Sequence, residues 1–389
     1  MDRFQHSQSS TASASISIFS SPSQQASSAS ASPDASPPSS TSPCLEHKAF
    51  DMGAQTPPQD KIEFVISSTT NPEISITLSL RINVFLDRHV LEQIKQQFTR
   101  HLQRLDSTLP DQEPASGAVL LHARLLRFLS QGIPDVGEYE RHAHLSILEA
   151  AWNSYNNDTL GEVDVHNFAQ AFASETRSFL LRAYFESYAA LRQAEVQVSP
   201  PTPLLLQRAQ QRQAGLYALF GGQGNNHGYF DELQTLFDTY RPFVEPLVAA
   251  VEARLCQLLS TIEAKRSGPY PFHNQGLSLI AWLTHQAERP SEAYLASVPI
   301  SAPLLSLTQM VQFFVSSKCV GMTVPEFRNH FQAVSGHSQG IVSATAMALA
   351  KDDAHYIQSV VLASELLFQV GLTSQLCYGD KSVDNKTSQ

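Results

Sequence analysis

Residues 336–340 read Gly336-His337-Ser338-Gln339-Gly340, and this pentapeptide constrains the fold more than any other stretch. A serine between two glycines at this spacing is the sharp strand-to-helix elbow. The glycines permit a tight turn and keep bulk away from the hydroxyl. The flanks agree, since an apolar stretch from Phe331 to Val334 precedes the motif and Ile341–Ala350 is a small-residue helix able to pack closely on a sheet. Ser338 Oγ would then stand at a helix N-terminus, where backbone N–H groups can stabilise a developing oxyanion.

A second stretch supports the first. Leu216-Tyr217-Ala218-Leu219-Phe220 reads as a buried strand running into Gly221-Gly222-Gln223-Gly224-Asn225, with a helix from about Tyr229. Acyl transfer needs two N–H donors from separate segments to hold the tetrahedral oxyanion. One is the residue after the serine, Gln339, and the other comes from an adjacent loop, here at Gln223. A serine elbow admits hydrolysis or acyl transfer. The hydrolase pattern has an HGGG-type loop upstream, whereas this chain has Gly222-Gln223-Gly224.

The two glycine motifs, with Ser297-Val298-Pro299-Ile300-Ser301-Ala302-Pro303-Leu304 between them, resemble the acetyltransferase domain that opens the β subunit of fungal type I fatty acid synthase. The resemblance runs from about Ile62 to Gly371. It implies an α/β acyltransferase core of the malonyl-CoA:ACP transacylase type, incomplete at its C-terminus and preceded by a mostly helical accessory domain. It also implies ping-pong chemistry in the cytoplasm, in which Ser338 takes an acyl group from coenzyme A and passes it to the phosphopantetheine thiol of an acyl carrier protein. Gln339 and Gln223 would supply the oxyanion donors, and Gly222, Gly224, His337 and Gly340 the substrate-binding loops. The partners implied are the acyl carrier protein domain and the α subunit of the synthase. Acetyl-CoA enters as substrate, with no resident cofactor.

The acyl group follows from a missing cation. Malonyl-transferring relatives read GHSLGE and carry an arginine about 25 residues after the serine, where it grips a carboxylate in a forked bond. Here Gln339 and Ile341 replace Leu and Glu, the corresponding region reads Leu362-Ala363-Ser364-Glu365-Leu366, and no arginine follows Ser338. A neutral acyl group, most simply acetyl, is expected. The family's general-base histidine lies well downstream of the serine, yet only His355 follows Ser338. His355 sits at an acidic helix start, and His337 is too close in sequence, because adjacent side chains diverge. The chain is therefore expected to be a catalytically incomplete N-terminal portion. The starter-unit acyltransferase of a fungal polyketide synthase is the alternative enzyme, and a fragment with an assembly role the alternative without chemistry.

The remainder organises around this core. Residues 1–60 are Ser/Pro-rich, with 17 serines in the first 42 positions, and are expected to be disordered. A mitochondrial targeting peptide fits poorly, because Arg3 is the only arginine before Arg81. Residues 61–200 form an accessory domain, with strands at 62–66 and 74–80, a helical period from Asp87 in which Val90, Leu91, Ile94 and Phe98 share a face, and further helices at about 116–130, 137–153 and 163–194. The acidic stretch 158–164 lacks the ligand alternation of a calcium loop, so no metal is assigned and an interhelical loop is expected. A proline linker at 198–203 leads into the acyltransferase-like domain at 201–379, with helices at Leu277–Leu283 and Leu304–Val320, and 380–389 is a polar tail. His227, in the glycine loop, reads as a solvated side chain. A net charge of −10 argues against nucleic acid. Cys44, Cys256, Cys319 and Cys377 make no CxxC pair and fit reduced thiols. No run approaches eighteen uninterrupted apolar residues, so no membrane span is expected.

Overall fold

The computed structural model describes residues 17–21, 60–67, 75–82, 86–104, 114–223, 228–266 and 275–379. They build a mostly helical molecule around two hydrophobic cores. The first begins with an antiparallel pair, β2 (Asp60–Ser67) and β3 (Ser75–Ile82). α2 (Pro114–Gly132) and α3 (Glu138–Ser154) pack on β3, α1 (Arg88–Arg104) meets β2 through Phe98 and Phe64, and α5 (Ser174–Gln193) packs on α2 and α3 with α4 (Val165–Ala169) beside it. Val90, Ile94 and Phe98 form the buried stripe of α1, as their helical spacing predicts. The single helix expected over 163–194 is divided, with residues 170–173 turning the chain between α4 and α5.

The acidic stretch takes a different form from the expected loop. α3 continues into a π-helical turn, Tyr155–Leu160, before Gly161 at φ +59° ends it. Its acids have structural roles: Asp158 accepts from Ser154 Oγ at 2.8 Å, and Asp164 caps α4 by accepting from the His166 and Asn167 N–H groups.

The second core starts after α6 (Leu204–Gln210). β4 (Gly215–Phe220) pairs in parallel with β5 (Phe331–Gly336), and between them run α7 (Tyr229–Arg266), α8 (Leu279–Leu283), α9 (Glu292–Ala296), α10 (Val298–Cys319) and α11 (Val324–Arg328). α12 (Gly340–Leu349) and α13 (Asp353–Gly379) follow. The parallel order expected from the sequence is thus present, although helices outweigh the sheet. α7 runs through Pro242 and Pro246 and kinks at Tyr240, where φ −121° and ψ +31° leave the helical region. A proline removes a donor and crowds the preceding turn, which accounts for the kink. α10 begins six residues earlier than expected because Pro299 sits in its first turn, where a missing N–H costs nothing.

Two expectations need correction. Residues 17–21, placed in a disordered tail, form β1 (Ser17–Ser21), antiparallel to β4. The free edge of β4 offers backbone donors and acceptors that an extended segment of modest apolarity can satisfy. Second, α10 and residues Asp353–Cys377 of α13 are long and apolar enough, by length and composition, to cross a membrane. Single polar residues interrupt both runs without lowering their mean hydropathy much. In α10 the apolarity serves the core, for nearly all its residues from Pro299 to Val315 are buried against α7, α12 and α13.

Candidate functional site

The elbow forms as its glycines require. β5 ends at Gly336, the chain turns through His337, Ser338 and Gln339, and α12 starts at Gly340. Ser338 stands at φ +55°, a strained conformation for a residue with a side chain and the signature of a nucleophile elbow. His337 N–H donates to Phe220 O at 3.0 Å and Gly340 N–H to His337 O at 2.9 Å, so the turn is tied to β4 as well as to itself. A Cβ on Gly340 would lie 2.3 Å from Phe220 O, and one on Gly336 2.2 Å from Gly340 O. Neither position tolerates a side chain without displacing backbone.

The second glycine stretch meets the first. A Cβ on Gly222 would fall 3.0 Å from Ser338 Cβ and 3.0 Å from His337 Nδ1, which puts the loop after β4 directly against the elbow. Gln309 anchors that loop from below: it is fully buried in α10 and donates from Nε2 to Gly221 O at 3.0 Å. Gln223 Nε2 reaches Ser301 Oγ at the N-terminal turn of α10, at 3.5 Å. The helices are cross-tied too, by Ser306 Oγ to Ser343 Oγ at 2.6 Å and by Tyr356 OH to Met310 O at 2.9 Å.

Ser338 and His337 are exposed, whereas Gln339 and Gly340 are buried. The backbone N–H groups of Gln223 and Gln339 donate to no other described residue. The Gln339 carboxamide has neither of its polar atoms hydrogen-bonded among the described residues. Sequence reasoning did not single out Gln309. It is one of two glutamines in α10, beside Thr308, with no motif to mark it.

The expected site residue Gly224 and the loop His227, read as solvated, lie outside the described residues, as does the tail 380–389. Ser338 Oγ has no hydrogen-bond partner among the described residues, and no described histidine is positioned on it. His355 opens α13 beyond the far end of the ten-residue α12, a helix about 15 Å long at 1.5 Å per residue. Its backbone N–H is held by Asp352 Oδ1 at 2.7 Å. At the helix position where malonyl-transferring relatives carry arginine, Ala363 and Ser364 are buried, and Glu365 is held in a forked pair by Arg254 at 2.7 and 2.9 Å.

Comparison with known proteins agrees with the geometry. Residues 218–388 match the family described as starter unit:ACP transacylase in aflatoxin biosynthesis, and residues 73–191 match the N-terminal domain in fatty acid synthase subunit beta. The chain is 58% identical over 354 residues to fatty acid synthase 2 of Mycosarcoma maydis, covering 91% of this chain and 10% of that protein. It is 29% identical over 305 residues to the fatty acid synthase subunit beta of Saccharomyces cerevisiae, covering 76% and 14%. It is 32% identical over 240 residues to the fatty acid synthase beta subunit aflB of Emericella nidulans, covering 61% and 11%. The chain thus spans only 10–14% of the length of these relatives.

Proposed function

The chain is related to the N-terminal part of fungal fatty acid synthase β subunits, and from that premise we propose that it carries an acyltransferase site at Ser338 that loads a short neutral acyl group, most simply acetyl, from coenzyme A. The observation that supports this best is Ser338, at positive φ in a strand-to-helix turn and lying against Gly222 of the second glycine loop. Ser338 Oγ attacks the thioester carbonyl, the Gln223 and Gln339 N–H groups hold the oxyanion, the C–S bond breaks, and coenzyme A leaves as its thiol. Attack by the thiol of an acyl carrier protein on the resulting ester then regenerates the serine. The proposed setting is the cytosol, with the carrier domain and the α subunit of a synthase as partners, in primary or secondary metabolism.

Ala363 and Ser364 in place of arginine support a neutral acyl group, since a buried malonate carboxylate would lack a partner. Arg254 is engaged by Glu365 and does not substitute for it. With no base beside Ser338 among the described residues, acylation by this chain is expected to be slow, about 10²–10⁴-fold below an assisted site. The test is incubation with radiolabelled acetyl- or malonyl-CoA, followed by peptide mapping. Label is expected on the Ser338 peptide, absent in Ser338→Ala, and favouring acetyl by ~100-fold. Label that survives Ser338→Ala refutes the nucleophile, and equal loading of the two thioesters refutes the acyl preference.

A further inference from the structure

Between the two cores lies a cleft of about 1140 Å³. Its lining includes Leu216 and Phe331, the paired residues at one end of the β4–β5 ladder, whereas Ser338 follows the other end, where Phe220 pairs with Gly336. The strand between is about 17 Å long at 3.3 Å per residue, so the cleft is separate from the elbow.

The walls are apolar, with Leu206, Leu236, Phe313 and Val315 among them. Around the cleft Val163, Leu204 and Leu205 are left exposed, although each is a large hydrophobic residue. The lining also carries the polar side chains Asn167, Thr202, Gln207 and Ser316, of which Gln207 donates to Thr202 O and Ser316 to Gln312 O. Tyr240, at the kink of α7, has its hydroxyl 2.9 Å from His166 Nε2, and His166 Nδ1 lies 3.2 Å from Asp164 Oδ1. Burial pushes the Asp164 carboxyl up, but donation from the His166 side chain and from the His166 and Asn167 N–H groups outweighs it and holds it below its usual value. The ionised carboxylate keeps the imidazole proton on Nδ1, so Tyr240 donates its own proton to Nε2. The phenol oxygen then has a lone pair to offer but no hydrogen. Gln312 repeats the pattern, with its NH₂ engaged by Glu232 and its Oε1 without a hydrogen-bond partner. Glu162 and Asp164 also line the cleft, and no lysine or arginine does among the described residues.

We propose that this cleft binds an apolar small molecule bearing a hydrogen-bond donor and no negative charge, of the medium-chain alkyl alcohol class. The cleft supplies hydrocarbon walls and acceptors, which match a hydroxyl on an alkyl chain. A carboxylate of the same length would meet acceptors and acids without a counter-charge. Because the walls come from α4, α6, α7 and α10, an occupant bridges the accessory and acyltransferase cores. This site is independent of the chemistry at Ser338.

Cys319 lines the cleft and is a free thiol, while Cys256 and Cys377 are exposed elsewhere. The test is the rate of Cys319 modification by methyl methanethiosulfonate, followed by peptide mass spectrometry, with 1-octanol or octanoate present and the two exposed cysteines as internal controls. 1-Octanol is expected to slow Cys319 labelling about 10-fold at ten times its dissociation constant, with octanoate at least ~10-fold weaker as a ligand. Tyr240→Phe should weaken 1-octanol ~10-fold. Leu204→Lys, at the exposed rim, leaves the core intact and should bring octanoate up to the potency of 1-octanol. The proposal fails if 1-octanol leaves the Cys319 rate unchanged, if octanoate protects as well as 1-octanol in the unaltered chain, or if Leu204→Lys does not raise octanoate protection.

Discussion

The accessory core and the acyltransferase core are built to different ends. The first is tied internally by stacked aromatic rings and buried hydrogen bonds, although Phe185 and Tyr188 also pack on Tyr240 and Phe243 of α7. Trp152, Tyr155, Tyr184 and Phe185 are fully buried, and their polar atoms are partly woven into it: Tyr184 OH donates to Asn156 Oδ1 at 2.8 Å, and Asn156 Nδ2 donates to Trp152 O at 2.8 Å. His122 lies beneath Tyr155 and donates from Nε2 to Ala151 O at 2.8 Å. The second core holds a serine at φ +55° and presents Ile341, Leu349, Leu362, Leu366 and Val370 to solvent on α12 and α13. Residues 362, 366 and 370 are spaced four apart and share one face of α13, an apolar stripe on the outside of the helix. The contrast is between a core tied together by its own buried polar groups and one that carries a positive-φ serine and an exposed apolar stripe.

The two tryptophans separate the cores experimentally, since Trp152 belongs to the first and Trp282 to the second. Single-tryptophan forms would therefore report each unfolding transition alone. The largest effect is expected from Gly340→Ala, whose Cβ would lie 2.3 Å from Phe220 O and 2.6 Å from Gly221 O. It should destabilise the Trp282 transition in urea by about 4 kcal/mol and leave the Trp152 transition in place. Equal shifts in both would show that the cores unfold as one unit and break the contrast.

Next comes the response to acid. Burial pulls His122 down to about 4 in the folded chain, against about 6.5 when unfolded. Between those values the unfolded chain binds the extra proton, so stability falls as pH drops from about 6.5 to about 4. The loss sums to roughly 3 kcal/mol. It is expected in the Trp152 transition, and His122→Gln should flatten it. A slope unchanged by that substitution would assign the acid response to another group.

The smallest effect is expected on the open face. Leu366→Gln should change the Trp282 transition by no more than about 0.5 kcal/mol while reducing self-association in analytical ultracentrifugation. A loss of several kcal/mol would mean that Leu366 is part of a core and that the face is not open.

The elements with strong periodicity were legible in the sequence. The strands at 62–66 and 74–80 correspond to β2 and β3, the stripe Val90-Ile94-Phe98 to α1, and the elbow to a strand, a tight turn and a helix. Local rules suffice there, because the side-chain period and the glycine positions specify the backbone without help from distant residues. The continuation of α7 past two prolines, the π-turn after α3 and the pairing of residues 17–21 with β4 were not legible. In each case a local preference is outweighed by contacts or hydrogen bonds made far away in sequence.

At the candidate site the same division holds. Residue types and spacing nominated Ser338 and the glycine loop, and the resemblance to the synthase family gave the absence of an arginine after the serine its meaning. Only the tertiary structure brought Gly222 against Ser338, from 116 positions away, and revealed Gln309 beneath the loop. It alone assembled Asp164, His166 and Tyr240 in a cleft between the cores. A turn is fixed by steric limits within a few residues, which sequence displays. A cleft is fixed by how separately folded surfaces meet, and that depends on packing across the whole chain.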